Sequence, residues 1–269
     1  MVIYGRHPVR EALRAGVKPY EILVAEGAHL PKELKDAIFE RGIKVRFIKR
    51  STLTQITGSN EHQGIAADIG EFKTLKLKEV LNIAFKSRGI LLGLDHIQDP
   101  RNAGSLIRTA EAFGVAGVVM TVHRTVSITP ALIKASSGAC FHLPIAIGNL
   151  RQFAIRFKDL GGMVVALDMS GDDIRHAKPK LPLLLIVGAE GPGVSASILE
   201  VADEVWRIPQ VGKVEALNAA VAGAIAMWEV WSKVDFQAGS HRFATSLSQE
   251  VDGDVSQLES GSDRHPRRH

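Results

Sequence analysis

The chain of 269 residues is poor in cysteine, tyrosine and long apolar runs. Its single cysteine, Cys140, excludes an internal disulfide framework and a Cys-rich zinc site. With no CxxC partner, Cys140 reads as a core residue rather than a nucleophile. No uncharged apolar run approaches the roughly 20 residues that span a bilayer, and residues 1–7 show no basic stretch followed by an apolar one. These absences predict a reduced, cytoplasmic protein without a membrane segment. Walker A, His-Glu-x-x-His and Gly-x-Ser-x-Gly sequences are also missing, which removes the commonest phosphate-cradle, metalloprotease and serine-hydrolase readings.

Hydrophobic residues make up 45% of the chain, enough for a sizeable core. The formal net charge of +4 suits a polyanionic partner, but many metabolic enzymes are as basic.

Residues 1–71 read as a small α/β unit. Strands are expected at 2–4, 22–24, 45–47 and 63–69, with helices at 8–15 and 31–41 and a third capped by Ser51. Residues 72–88 form a lysine-rich linker and a lead-in helix. A larger α/β unit spans 89–236, with strands at 90–94, 116–120, 163–167, 183–187 and 204–208. These are mostly apolar runs, as in a largely parallel sheet covered by helices on both faces. No Gly-x-Gly-x-x-Gly follows the first of them, so a conventional dinucleotide cradle is unsupported. Residues 237–269, rich in Ser, Gly, Asp and Arg, read as a disordered tail.

Three loops follow strands of the larger unit. In the first, Asn102 and Gly104 are expected in a turn, Ser105 at a helix N-cap and Arg108 in that helix's first turn, where a guanidinium can hold a phosphate. A turn asparagine and a surface arginine fit the same residues. The second, Gly188-Ala189-Glu190-Gly191-Pro192-Gly193, has glycines that let backbone approach a ligand and a glutamate that can orient Arg108 or accept a proton. A plain Gly-Pro-Gly turn explains it equally. The third runs from Ile208-Pro209 to Leu217-Asn218 and opens a helix over 219–233, whose Asn218 reads first as a cap.

Together the loops resemble the three signature motifs of the SpoU family of RNA ribose methyltransferases. Asn102-x-Gly104-x-x-x-Arg108-x-Ala110 is similar to motif one, Ile186 to Gly191 to motif two, and Ile208-Pro209, Gly212 and Leu217-Asn218 to motif three. Gly5-Arg6-His7-Pro8-Val9-Arg10-Glu11-Ala12-Leu13 and His62-Gln63-Gly64-Ile65-Ala66-Ala67 resemble the substrate-binding domain joined to many SpoU enzymes, above all the branch that methylates a guanosine of 23S ribosomal RNA. The resemblance implies a trefoil-knotted catalytic domain, a homodimer, S-adenosylmethionine as cofactor and RNA as partner. It implies cofactor contacts from Gly188, Ile208 and Leu217. Arg108 would be the central catalytic group, with Asn102, Glu190 and Asn218 orienting it and the ribose-phosphate. The small-residue helix with Trp228 and Trp231 would face the partner subunit.

The family usually carries serine where this chain has Ala216 and Ala220, so one hydroxyl of the active-site polar network is missing. That departure motivates a rival reading, a non-catalytic RNA-binding protein on the same fold. An α/β metabolic enzyme with a small nucleotide ligand is another. Within the enzyme reading, a transfer-RNA or antibiotic-resistance ribosomal methyltransferase is the alternative. A guanidinium holds its proton too firmly to be a ready base, so phosphate holding and oxyanion stabilisation suit Arg108 better. Arg6, Arg10, Lys49 and Arg50 are candidate phosphate contacts of the first unit.

Overall fold

The computed structural model describes residues 1–213 and 216–234; the expected tail from Gln237 lies outside them. The N-terminal unit runs β1 (Val2–Tyr4), α1 (Arg6–Arg14), β2 (Glu21–Ala25), α2 (Lys32–Glu40), β3 (Val45–Ile48), α3 (Arg50–Thr57) and β4 (Ile65–Asp68). Its sheet has the order β1-β4-β2-β3, with β4 antiparallel to both neighbours and β2 parallel to β3. Helix α1 forms because Pro8, Val9, Ala12 and Leu13 make one apolar stripe, all four buried. Helix α3 starts one residue ahead of the expected Ser51 cap, with Lys49 at the N-cap making no side-chain bond. The expected strand from Gln63 is shorter. Asn60–His62 is a single 3-10 turn and Gln63 takes a left-handed φ of 55°, so pairing begins only at Ile65.

The larger unit runs α4 (Leu77–Ser87), β5 (Ile90–Asp95), α5 (Pro100–Ala112), β6 (Gly117–Thr121), α6 (Pro130–Ala135), β7 (Ile145–Gly148), α7 (Leu150–Asp159), β8 (Met163–Asp173), β9 (Leu183–Gly188), α8 (Ala196–Leu199), β10 (Glu204–Arg207) and α9 (Ala219–Lys233). Its strands pair in parallel in the order β10-β8-β9-β5-β6-β7. Strands β5, β6 and β9 are buried at every residue, which is why they read as unbroken apolar runs. Leu106, Leu132 and Met227 pack helices α5, α6 and α9 on one face; Val80, Phe153 and Ile198 pack α4, α7 and α8 on the other. Each fully buried Leu or Phe contributes roughly 1.5–3 kcal/mol. Strand β7 was not expected, because four residues at a sheet edge give too short a pattern.

The chain moves outward from β5 to β6 and β7, then returns to β8 and places β9 between β8 and β5. Parallel sheets bind ligands outside the carboxyl ends of their strands, where the order reverses. The expected linker is docked rather than free: Leu75 bridges Ala146, its N–H donating to the Ile145 carbonyl at 2.8 Å.

The two units share a packed junction. Gly138, with φ +89°, lies so close to α1 that a Cβ there would come within 2.8 Å of Glu11 Cβ and 3.1 Å of Pro8 Cα. His142 Nε2 pairs with Glu11 Oε2 at 3.0 Å. Cys140 is buried in the same core, and that burial pushes its thiol up to about 12.

Candidate active site

Helix α5 begins at Pro100, not at Leu106, because Asp99 caps it. The Asp99 carboxylate accepts the Arg101 N–H at 2.9 Å and Pro100 supplies a preset first turn. Asn102 and Gly104 are therefore helical rather than in a turn. Arg108 lies more than two turns in, beyond the reach of the helix N-terminal dipole. Asn102 is buried. Gly104 serves packing, since a Cβ there would meet Ala135 Cβ at 2.5 Å and the Ser136 backbone nitrogen at 2.8 Å.

Asn218 caps α9, its Oδ1 accepting the N–H groups of Ala220 at 3.0 Å and Val221 at 3.2 Å. Its Nδ2 donates to Asn102 Oδ1 at 3.0 Å and to Glu190 Oε1. One amide thus closes the helix end and joins the three loops. Glu190 stands exposed in its turn, its orientation set by Asn218. Arg108 takes a different partner: its exposed guanidinium donates from Nη1 to Ser137 Oγ at 3.2 Å. Among the described residues no hydrogen bond links it to Asn102, Glu190 or Asn218. Those three cohere without it, and Ser137, at the end of α6, orients the arginine instead.

Two of the three expected cofactor residues lie at the carboxyl ends of strands. Gly188 ends β9, and a Cβ there would fall within 2.1 Å of the Gly193 carbonyl oxygen, because the loop folds back on itself through the Ala189–Gly193 bridge. Ile208 follows β10 and Leu217 precedes Asn218, both half-buried. Sequence reading missed a third contributor. Strand β8 bulges where its register with β10 jumps from Val205↔Ala166 to Trp206↔Asp172. Within that bulge Asp168 approaches Gly193, and Met169 Sδ lies 3.2 Å from Gln210 Nε2. No pattern in the sequence past Leu167 signals it. Among the described residues no cluster of three metal-ligating side chains is present.

A separate cavity of about 230 Å³ opens over the ends of β5 and β6 on the α7 side, lined by Asp95, His96, Asn149, Arg151 and Ser195 among others. None of the seven expected site residues lines it. Its wall includes Asp95, buried, whose Oδ2 accepts the Ser195 N–H at 2.7 Å and so anchors the loop that carries Glu190.

Residues 89–228 match the model of the SpoU rRNA methylase family, and residues 2–75 match that of the RNA 2′-O ribose methyltransferase substrate-binding domain. A Staphylococcus aureus protein assigned to the TrmH family of tRNA/rRNA methyltransferases is 36% identical over 239 residues, covering 86% of this chain and 96% of the relative. YacO of Bacillus subtilis, given the same assignment, is 32% identical over 237 residues, covering 86% and 95%. The crystal structure of an AdoMet-bound rRNA methyltransferase from Sinorhizobium meliloti superposes with a TM-score of 0.73 at 27% identity, covering 87% of each chain. No helix among the described residues is long and apolar enough to cross a membrane.

Proposed function

Since the chain belongs to the SpoU rRNA methylase family and is an S-adenosylmethionine-dependent RNA methyltransferase, we propose that it methylates a ribose 2′-hydroxyl, a guanosine of 23S ribosomal RNA being the favoured target. The observation that carries the site is the Asn218 amide, which gathers Asn102 and Glu190 beside the loop ending β9.

When bound, S-adenosylmethionine would supply the methyl group, its sulfonium becoming a neutral thioether as the ribose oxygen takes the methyl and the hydroxyl proton passes to Glu190. Gly188, Ile208 and Leu217 would hold its adenosine part through backbone groups and apolar contact. Glu190 uses Oε1 on Asn218, and its Oε2, without a hydrogen-bond partner among the described residues, can take a hydrogen bond from the acceptor hydroxyl. Arg108, steadied by Ser137, holds the neighbouring phosphate and offsets charge developing on the ribose oxygen. Ala220 weakens the case for the non-catalytic reading: at that position the backbone N–H, present whatever the side chain, is what Asn218 uses.

Residues 1–71 recognise the RNA in this reading. Lys49 and Arg50 are exposed, whereas Arg6 and Arg10 spend part of their guanidinium groups on the His29 carbonyl, Glu11 and His7. The trefoil knot expected of residues 89–236, a cytoplasmic location and a homodimer belong to the same reading. A dimer through α9 would use the exposed side of that helix rather than its small residues. Ala219, Gly223 and Ala226 are turned inward, with a Cβ at Gly223 falling 2.3 Å from Leu106 Cδ2. Val221, Ile225 and Trp228 form the exposed stripe, and Trp228 stacks on Trp231 with centroids 5.3 Å apart. Sedimentation at micromolar concentration should give a dimer. Mapping ribose methylation across ribosomal and transfer RNA, with and without the gene, tests the function; loss at one 23S guanosine is the expected result, and an unchanged map refutes it.

A further inference from the structure

Helix α6 carries a lysine that no motif includes. Lys134 is half-buried and has no hydrogen-bond or ion-pair partner among the described residues. Its ammonium rests on the N-terminal unit: a Cβ at Gly5, whose φ is +96°, would lie 2.6 Å from Lys134 Nζ and 3.3 Å from Gln63 Oε1. Gln63 Oε1 in turn accepts the Arg6 N–H at 2.9 Å, and a Cβ at Gly64 would lie 3.8 Å from an Arg50 Nη2. Desolvation lowers the pKa of Lys134, with Glu61 opposing it. Burial, and then the charges of Arg50 and Lys134, lower that of His62. His62 braces the loop: its Nδ1 accepts the Gly64 N–H at 3.0 Å while Nε2 meets Thr54 Oγ1 at 3.1 Å. Lys134 of α6 and Arg50 of α3, one cation from each unit, therefore lie against one loop near Glu61, and Lys134 makes no ion pair among the described residues.

We infer that Lys134, together with Arg50, forms a composite site for a backbone phosphodiester of the substrate RNA, bridging the two units. The inference rests on the RNA methyltransferase reading and deepens it. The site is coupled to the methyl-transfer centre through α6: the Ser137 N–H donates to the Lys134 carbonyl at 3.0 Å, and Ser137 Oγ holds Arg108. One strand of RNA lying across α6 would thus place one phosphate on Lys134 and the reacting ribose-phosphate at Arg108.

The test measures binding of an unmodified 23S rRNA transcript to the full chain over a salt series. Lys134→Gln should weaken binding about tenfold and reduce the slope of log Kd against log salt by about 0.7–0.9. The double change with Arg50→Gln should remove about twice that, while S-adenosylmethionine affinity and the melting temperature stay at wild-type values. Should Lys134→Gln lose its melting transition, the exposed Arg50→Gln alone carries the same test. An unchanged slope for either variant, in a wild-type background that binds and methylates the transcript, overturns the composite site and leaves the enzyme reading intact. Wild-type protein that binds the cofactor but no transcript removes both. Displacement of the transcript by millimolar inorganic phosphate at constant ionic strength would assign the site to free phosphate and overturn its assignment to RNA.

Discussion

The buried Asp95 carboxylate and the Ser195 backbone N–H, a hundred residues apart in sequence, meet at 2.7 Å. That bond ties the end of β5 to the close of the loop that starts at Gly188 and carries Glu190. Asp95→Ala leaves the N–H without its acceptor at a partly buried position, a loss of about 1–3 kcal/mol. The melting temperature should fall and S-adenosylmethionine should bind more weakly in calorimetry. Wild-type values for both would show that the loop holds its shape unaided.

Arg108→Ala is expected to lower turnover by about 10²–10³-fold, the scale seen when a preorganised charge-stabilising donor is removed. Cofactor affinity should stay within twofold, because the guanidinium contacts none of the residues assigned to the cofactor. Ser137→Ala removes only the anchoring hydroxyl, so a roughly two- to tenfold loss should follow. Single-turnover methyl transfer with labelled cofactor distinguishes the two variants.

Asn218 has separable duties. Asn218→Asp keeps an oxygen to cap α9 but loses both Nδ2–H donors and faces Glu190 with a second carboxylate. Activity should collapse while helix capping survives. Asn218→Ala loses the cap as well, about 1 kcal/mol. A comparison of melting temperature with turnover should therefore place the aspartate variant well below the alanine variant in loss of capping, yet equal to it in loss of activity.

Acid should loosen the junction between the two units. Burial raises the Glu11 pKa, but hydrogen bonds from Arg10 and His142 and the charges of Arg14 and Arg10 outweigh it and hold the carboxyl below its ordinary 4.5. A lowered folded pKa means the contribution is complete above about 4.5 and disappears as pH falls through the folded value. Glu11→Gln should flatten the acid limb of a stability–pH profile; an unaltered limb would assign acid sensitivity to other carboxylates.

Much of this was legible in the sequence where one principle dominated. The buried strands β5 and β9 announced themselves as apolar runs, and α9 opened at Asn218 as its capping chemistry requires. The start of α5 was misplaced because two capping candidates, Asp99 and Ser105, compete in one stretch; Pro100 and the depth at which Asn102 is buried decide for Asp99. The convergence of Asn102, Glu190 and Asn218 followed from motif resemblance, whereas the partner of Arg108 did not. Ser137 lies in the α6 region, which carries no motif, and only tertiary packing brings it to α5. The bulge in β8 was hidden for a similar reason, since a register jump is a property of the pair of strands.

The Leu75–Ala146 bridge gives the connection between the units a second task. By pairing beside β7 it seals what would otherwise be an open sheet margin, the sort of surface that recruits stray strands from other molecules. It also moors the small unit instead of leashing it, so the span from that unit to the Asn218 site is set by covalent and hydrogen-bonded geometry. A few residues inserted before Leu75 would slacken that span and bare the margin together, linking loss of aim to a tendency to aggregate.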